Sequence, residues 1–344
     1  MIENQISKPK KSENINNKNN TKKYVPFIEK YRPKKIEDLI LPSLMQYKIM
    51  SMIENKTLPN LIITGSSGTG KTSTILCLAK RMLGSNKELI LELNASNNRT
   101  LDFINTKVAY FCKKKLSYDN TCKKIIIFDE ADNITKKAQN LLANLMEEYS
   151  YNTCFAFTCN ESNKIIEAIQ SRCTSLRYVS VSAENIKKRL ETICKKENII
   201  YSEDGLNALI FISQGDIRQA INNLESTYHG YDKITVENVY KLCYHPHPKM
   251  IIEILKECVN MNLILATTYI RELKDSGYCA NDILLTMSNT LREINIDEDI
   301  RINFTKIISE YYIYVSDGID TNLQLYACVS KMILYIKNTT PILK

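Results

Sequence analysis

The chain has 344 residues, 44% of them hydrophobic and 24% charged, with a formal net charge of +8. That length supports two or three domains around substantial cores. No apolar run approaches the roughly 18 residues of a membrane span, and the polar, lysine-rich start lacks the apolar stretch of a secretory leader, so neither a membrane protein nor a secreted one is expected. The positive charge suits an acidic partner, with nucleic acid the first candidate.

Residues 1–23 are rich in Lys, Asn and Ser and nearly devoid of apolar side chains, which predicts disorder. The six lysines of this tail could add non-specific DNA affinity or act as a nuclear-localisation-like patch; a merely solvated tail is the plain alternative. From Tyr24 to Tyr178 apolar strands alternate with helical stretches, with strands predicted at 61–64, 89–93, 124–128, 154–158 and 175–178. That is the α/β pattern of a parallel sheet. Beyond Ser182 strands nearly vanish, and short helices are predicted at 182–197, 202–213 and 217–228, with Ser182 and Ser202 as N-caps. From about Tyr244 the chain reads as longer helices. The expected division is a tail at 1–23, an α/β nucleotide-binding domain at 24–178, a small helical domain at 179–243 and an all-helical domain at 244–344.

The first strand runs into Gly65-Ser66-Ser67-Gly68-Thr69-Gly70-Lys71-Thr72, a complete GxxxxGK[ST] phosphate loop, and a helical pattern follows it. The glycines let successive backbone N–H groups converge on phosphate oxygens, and the helix N-terminus adds positive potential. Lys71 would reach the β- and γ-phosphates and the Thr72 hydroxyl would ligate Mg²⁺. ATP or GTP is therefore the expected ligand. The run Ile125-Ile126-Ile127-Phe128 ends in Asp129-Glu130-Ala131-Asp132. Acids there would stand at the edge where doubly wound sheets bind ligands. Asp129 is placed to hold Mg²⁺ through water, and Glu130 to polarise an attacking water.

Asn160, after the fourth strand, would project to the same edge and orient the attacking water or touch the γ-phosphate; alone it reads as a turn residue. Arg172, in Ser171-Arg172-Cys173, could serve a neighbour's nucleotide. Arg218, in Gly215-Asp216-Ile217-Arg218, could reach the γ-phosphate of its own chain. As isolated residues both arginines are ordinary surface groups. The eleven cysteines form no CxxC pair, and Cys77, Cys154 and Cys328 sit in apolar patterns that read as core. Cys243, His245 and His247 lack a fourth ligand for zinc. His229, beside Gly230, reads as a loop residue.

In this order the motifs resemble those of the AAA+ ATPases and, within them, the small subunits of the clamp loader replication factor C. Pro26-Phe27-Ile28-Glu29-Lys30-Tyr31-Arg32-Pro33-Lys34 is similar to that family's N-terminal box, and Leu93-Asn94-Ala95-Ser96 to the segment after its second strand. Glu167 to Cys173 resembles its SRC motif, Gly215 to Ala220 its sensor-2 motif, and Val239 to Pro248 the opening of its collar domain. The resemblance covers all but the tail. It implies an AAA+ P-loop domain with a helical lid and an all-helical collar that mediates oligomerisation. It also implies an ATPase in a hetero-oligomer, a pentamer, that opens a sliding clamp and loads it on primer–template DNA. By the same resemblance Val25, Tyr31 and Arg32 lie against the nucleotide, Asn160 is sensor 1, Arg218 is sensor 2, and Arg172 is an arginine finger acting in trans. Arg99 and Lys107 fall in the DNA-tracking region, with Thr100 a possible helix start. Val108, Tyr110 and Phe111 fall in the segment that docks on the clamp, where an exposed Tyr-Phe pair would fill a hydrophobic pocket.

The chain departs from the family's pattern in places. Ser66-Ser67 stands where two prolines are usual, Asn97-Asn98 where an acidic pair is usual, Ala143-Asn144 and Asn105 where arginines are usual, and Phe27 where the box has Trp. Two rival readings remain at this point: an ATP-binding scaffold subunit with little hydrolysis, and a different AAA+ DNA-processing machine. Richness in Asn, Ile, Lys and Tyr points to an AT-rich genome. A cellular version would be nuclear, and a viral one would work at a site of viral DNA replication, including a cytoplasmic one.

Overall fold

A computed structural model describes residues 24–55, 57–84, 86–96, 104–114, 123–243, 245–319 and 321–339. The tail at 1–23, Arg99 and the helix start expected at Thr100 lie outside the described residues.

Helices α1 (Phe27–Lys30) and α2 (Ser43–Glu54) precede β1 (Leu61–Thr64), and α3 (Lys71–Leu83) follows it. The chain continues through β2 (Ile90–Asn94), a π-turn at Ile104–Val108, α4 (Ala109–Lys113), β3 (Lys124–Asp129), α5 (Lys136–Glu148), β4 (Thr153–Cys159), α6 (Glu167–Gln170) and β5 (Thr174–Arg177). The five strands form one parallel sheet in the order β2-β3-β4-β1-β5. Each expected strand is present within a residue of its predicted ends. Both faces of the sheet are covered, which is why β1, β3 and β4 read as continuous apolar runs rather than alternating ones. Ile62, Ile126, Phe128, Phe155 and Phe157 pack on one face with Leu142 and Met146 of α5. Leu61, Ile63, Ile125, Ile127 and Ala156 pack on the other with Ile49 of α2 and Ile75 and Leu78 of α3. Each such buried Leu, Ile, Met or Phe side chain contributes about 1.5–3 kcal/mol relative to exposure. The α5 start is capped by Thr135, whose hydroxyl accepts from the Ala138 N–H at 3.4 Å.

The next body consists of α7 (Ala183–Glu197), β6 (Ile200–Tyr201), α8 (Glu203–Ser213), α9 (Ile217–Tyr231), β7 (Lys233–Ile234) and α10 (Val236–Cys243). Ser202 caps α8 as expected, accepting from the Gly205 N–H at 3.0 Å. Ser182 occupies the N-cap position of α7, but its side chain makes no capping hydrogen bond. The parallel pair β6–β7 was not foreseen: two residues per strand are too few to show a period. His229 is not in a loop. Gly230 does not end α9, which runs on to Asp232 at φ 58°. Gly230 instead makes room for α10, because a Cβ there would stand 2.9 Å from the Leu242 Cδ1.

The C-terminal body is a bundle of α11 (Pro248–Val259), α12 (Leu263–Asp275), α13 (Ala280–Glu293), α14 (Glu298–Ser316) and α15 (Asn322–Thr339). Its core includes Ile251, Ile270, Met287, Phe304, Cys328 and Met332. His247 starts the bundle. Its Nδ1 accepts from the Lys249 N–H at 3.2 Å, and its ring lies 4.5 Å from that of Tyr240 on α10. Burial lowers its pKa, which suits a neutral ring accepting a hydrogen bond. Cys77, Cys154 and Cys328 are buried, as their apolar patterns implied. Among the described residues no helix is long and apolar enough to cross a membrane.

Candidate nucleotide-binding site

Strand register brings the motifs together. Thr64 pairs with Cys159 on one side and Arg177 on the other, and Asn94 pairs with Asp129. The phosphate loop, Glu130 and Asn160 therefore leave the sheet side by side at its carboxyl edge, where such sheets bind ligands. They open on a cavity of about 220 Å³.

The loop between β1 and α3 is shaped for close approach. At Gly65 a Cβ would come within 2.7 Å of the Tyr178 carbonyl. Gly68 has φ 65°, and a Cβ there would meet the Asp216 carboxylate. The Thr69 hydroxyl donates to the Ser66 carbonyl at 2.9 Å and closes the loop on itself. The α3 N-cap is Gly70, which has no side chain to satisfy the first N–H groups of the helix. Those donors suit a phosphate. Lys71 Nζ donates to Gly65 O, Ser66 O and Asn160 Oδ1, each at 2.8 Å. Burial, chiefly, lowers the Lys71 pKa, and Arg218 acts the same way while Asp129 and Asp132 oppose them. A partly desolvated ammonium is a stronger partner for a polyphosphate than one in open water.

The Thr72 hydroxyl donates to Asp129 Oδ1 at 2.8 Å, and the Thr158 hydroxyl donates to the same oxygen. A hydroxyl and a carboxylate side by side are hard oxygen donors of the kind Mg²⁺ takes with water and phosphate, so the residues fit that ion. Glu130 adopts φ 55°, a left-handed conformation that costs a non-glycine residue on the order of 1 kcal/mol. Its carboxylate accepts from the Ser96 hydroxyl, which also accepts from Asn133 Nδ2 at 3.3 Å. The Asn160 N–H donates to Asp132 Oδ2 at 3.4 Å.

The opposite wall comes from the helical body after β5 and from the N-terminal segment. Arg218, Tyr31 and Arg32 line the cavity with the apolar Ile28, Leu41, Ile217 and Ile221. Asp216 touches the phosphate loop. Its Oδ1 caps α9 through the Gln219 N–H at 3.0 Å, and its Oδ2 accepts from the Ser67 hydroxyl at 2.7 Å. A proline at position 67 could not make that bond. Ser96, Thr158, Asp132 and Asp216 were not singled out for roles from the sequence. Ser96, Asp132 and Asp216 each stand in a motif quoted above, which is the signal that could have found them; Thr158 only ends a predicted strand.

Some expected site residues stand elsewhere. Val25 is exposed and does not line the cavity. Arg172 is also outside the cavity wall. Its guanidinium donates to the Ala168 carbonyl at 2.9 Å and pairs with Glu147 at 3.0 Å. Lys107 is exposed on the π-turn. Contrary to expectation, Tyr110 and Phe111 do not form an exposed pair. Val108 is fully buried and Phe111 packs half-buried against the sheet core, because the π-turn and α4 bury one face, and only Tyr110 projects, at 71% exposure.

Three family models match consecutive stretches. Residues 61–181 match the ATPase family associated with various cellular activities, 183–241 the RFC1-like AAA+ ATPase lid domain, and 246–331 the replication factor C C-terminal domain. The chain is 43% identical over 312 residues to the probable replication factor C subunit 2 of Dictyostelium discoideum, covering 90% of this chain and 92% of that one. It is 39% identical to replication factor C subunit 4 of Saccharomyces cerevisiae, covering 90% and 95%. It is 38% identical to a putative replication factor C small subunit of Acanthamoeba polyphaga mimivirus, covering 91% and 98%. Among solved structures it is similar to the Holliday junction branch migration motor RuvB of Thermotoga maritima, with TM-score 0.52 and 15% identity over 62% of this chain and 72% of that one. At that identity the likeness concerns the fold alone. The replication factor C match over residues 246–331 disfavours a different AAA+ machine. The chain belongs to the replication factor C family: it is an AAA+ ATPase of the small-subunit type and part of a multi-subunit clamp loader.

Proposed function

We propose that this chain binds ATP with Mg²⁺ in the cavity at the sheet edge and hydrolyses it within a hetero-pentamer that opens a sliding clamp and closes it on primer–template DNA. The observation that carries the reading is the convergence of Lys71, Thr72, Asp129, Glu130, Asn160 and Arg218 on one cavity while Arg172 stays out of its wall. In this reading 24–178 is the ATPase unit, 179–243 the lid and 244–344 the collar that holds the subunits together.

The backbone N–H groups of Gly68, Thr69 and Gly70 hold phosphate oxygens, and Lys71 adds a full charge. Thr72 and Asp129 would hold Mg²⁺, which would supply positive charge against the phosphates. Glu130 orients the attacking water and takes its proton, Asn160 helps to align it, and Arg218 brings the lid's charge to the γ-phosphate. Arg172 serves the nucleotide of the adjacent subunit, which makes hydrolysis depend on assembly. Lys107, with Arg99, tracks the DNA backbone without reading sequence, and Tyr110 supplies the exposed clamp contact. The work is nuclear in a cell and at the replication site in a virus.

The test is clamp loading by the reconstituted complex carrying Lys71→Ala in this chain. Loss of loading is expected, and unchanged loading at saturating ATP rejects the reading. Glu130→Gln then separates a hydrolysing subunit from a scaffold: the reading requires turnover at this site to fall, and no loss favours the scaffold.

A further inference from the structure

The cavity has two halves of different origin. The phosphate half belongs to the sheet. The other half, segment 24–32, precedes the sheet in the chain yet is bound to the lid. Phe27 is 5% exposed and sits inside the lid core with Ile186, Leu190 and Leu224. The Tyr31 carbonyl accepts from Arg189 of α7, and the Tyr31 hydroxyl donates to Glu197 at the end of the same helix.

One residue at the centre of this junction has no role so far. Glu225 lies on α9, is only 8% exposed, and spends both carboxylate oxygens on segment 24–32. Oε2 accepts from the Phe27 N–H at 3.0 Å, and Oε1 accepts from the Tyr24 hydroxyl. The Tyr24 hydroxyl also lies 3.0 Å from His229 Nε2, one turn along α9. The Phe27 N–H is the first donor of α1, whose N-cap is Pro26 and has no capping side chain. Glu225 therefore caps α1 from another part of the fold. At the far end of this four-residue helix are Tyr31 and Arg32, which line the cavity.

A buried carboxylate is costly unless its hydrogen bonds are made, and an apolar residue would suit the lid core better. The charge-assisted bonds to segment 24–32 account for its presence. Without the carboxylate, a buried Phe27 N–H would have no acceptor and α1 no fixed start.

We propose that Glu225 is a positioning residue for nucleotide binding: it pins segment 24–32 to the lid, so that Tyr31 and Arg32 face the cavity and the base end of the nucleotide is held by the lid. The inference rests on the nucleotide reading given above and adds the residue that sets the pocket's second half. It separates two quantities that a general loss of packing would move together, the affinity for the whole nucleotide and the affinity for its phosphates alone.

The experiment measures displacement of a fluorescent ATP analogue from the full chain by ATP and by inorganic tripolyphosphate. Glu225→Ala raises the ATP Kd about tenfold, while the tripolyphosphate Ki stays within about twofold of the parent because the phosphate loop is untouched. Glu225→Gln, which keeps an acceptor for the Phe27 N–H, restores ATP binding to within about threefold. Tyr24→Phe removes one exposed hydroxyl, so it folds even where Glu225→Ala does not, and it raises the ATP Kd about two- to threefold with no change for tripolyphosphate. A folded Glu225→Ala chain that binds ATP like the parent overturns the inference, as does an equal loss for both ligands. If Glu225→Ala does not fold, an unchanged ATP Kd in Tyr24→Phe overturns it. Arg32→Ala keeps the two claims apart: loss of ATP there, with none in Glu225→Ala, leaves the pocket standing and removes Glu225 from it.

Discussion

Lys71 and Arg172 are both cations assigned to phosphate, yet the fold treats them in opposite ways. Lys71 is partly buried, and three oxygens, from the loop and from Asn160, hold its ammonium at 2.8 Å. Arg172 is exposed, and apart from a bond to its own turn it meets one exposed carboxylate, Glu147. A surface ion pair of that kind is worth about 0–1 kcal/mol, little enough to be exchanged for a phosphate on another chain. The first arrangement is fixed within the chain. The second is suited to be handed over. If Arg172 acts on a neighbour as proposed, a complete set of in-chain groups need not make the isolated subunit an efficient enzyme.

The comparison can be broken from the in-chain side. Lys71→Ala should weaken ATP binding about a hundredfold, read by equilibrium binding to the full chain, because it removes the fully charged partner of the phosphates. Near-parental affinity would mean that the loop backbone suffices and that Lys71 is no more committed than Arg172. Glu130→Gln should lower turnover at this site in the assembled complex by about two orders of magnitude, with ATP affinity held within about threefold. A loss of affinity in place of rate would move Glu130 from chemistry to binding.

A smaller effect sharpens the picture of how the lid meets the loop. Ser67→Ala deletes the 2.7 Å bond to Asp216 and should change the ATP Kd by about threefold. Asp216 also caps α9, whose second residue is Arg218, so this bond joins the loop to the helix that carries the lid's arginine. No change in Kd would show that the two walls close independently. The smallest effect concerns the helix that pairs with Arg172. Thr135→Ala removes the cap of α5, the helix that carries Glu147, and should cost about 1 kcal/mol of stability in a denaturant titration. Rates should not move.

The sequence made these two kinds of residue unequally visible. The phosphate loop is contiguous because consecutive backbone N–H groups must face one anion, so its chemistry is written in eight adjacent letters. The buried strands were equally plain, since Ile125 to Phe128 are apolar throughout and Cys154 to Thr158 at every position but the last. What escaped notice were partnerships across the fold that involve no phosphate or metal. Ser96 holds Glu130, Ser67 meets Asp216, and Phe27 meets Glu225, pairs separated by 34, 149 and 198 residues. No local spacing encodes them. Nor could a motif show that α4 turns Phe111 inward and leaves Tyr110 outside. His229 was misread for a related reason: the neighbouring glycine serves the packing of α10 and not a turn.

The most direct measurement is ATP turnover by the reconstituted complex when only this chain carries Arg172→Ala, with nucleotide affinity measured for each subunit. Turnover at the neighbour's site should fall about a thousandfold, while this chain's own ATP Kd stays unchanged. If the isolated parent chain instead hydrolyses ATP as fast as the complex, and Arg172→Ala abolishes that rate, then Arg172 acts within its own chain and the division between fixed and exchanged cations is wrong.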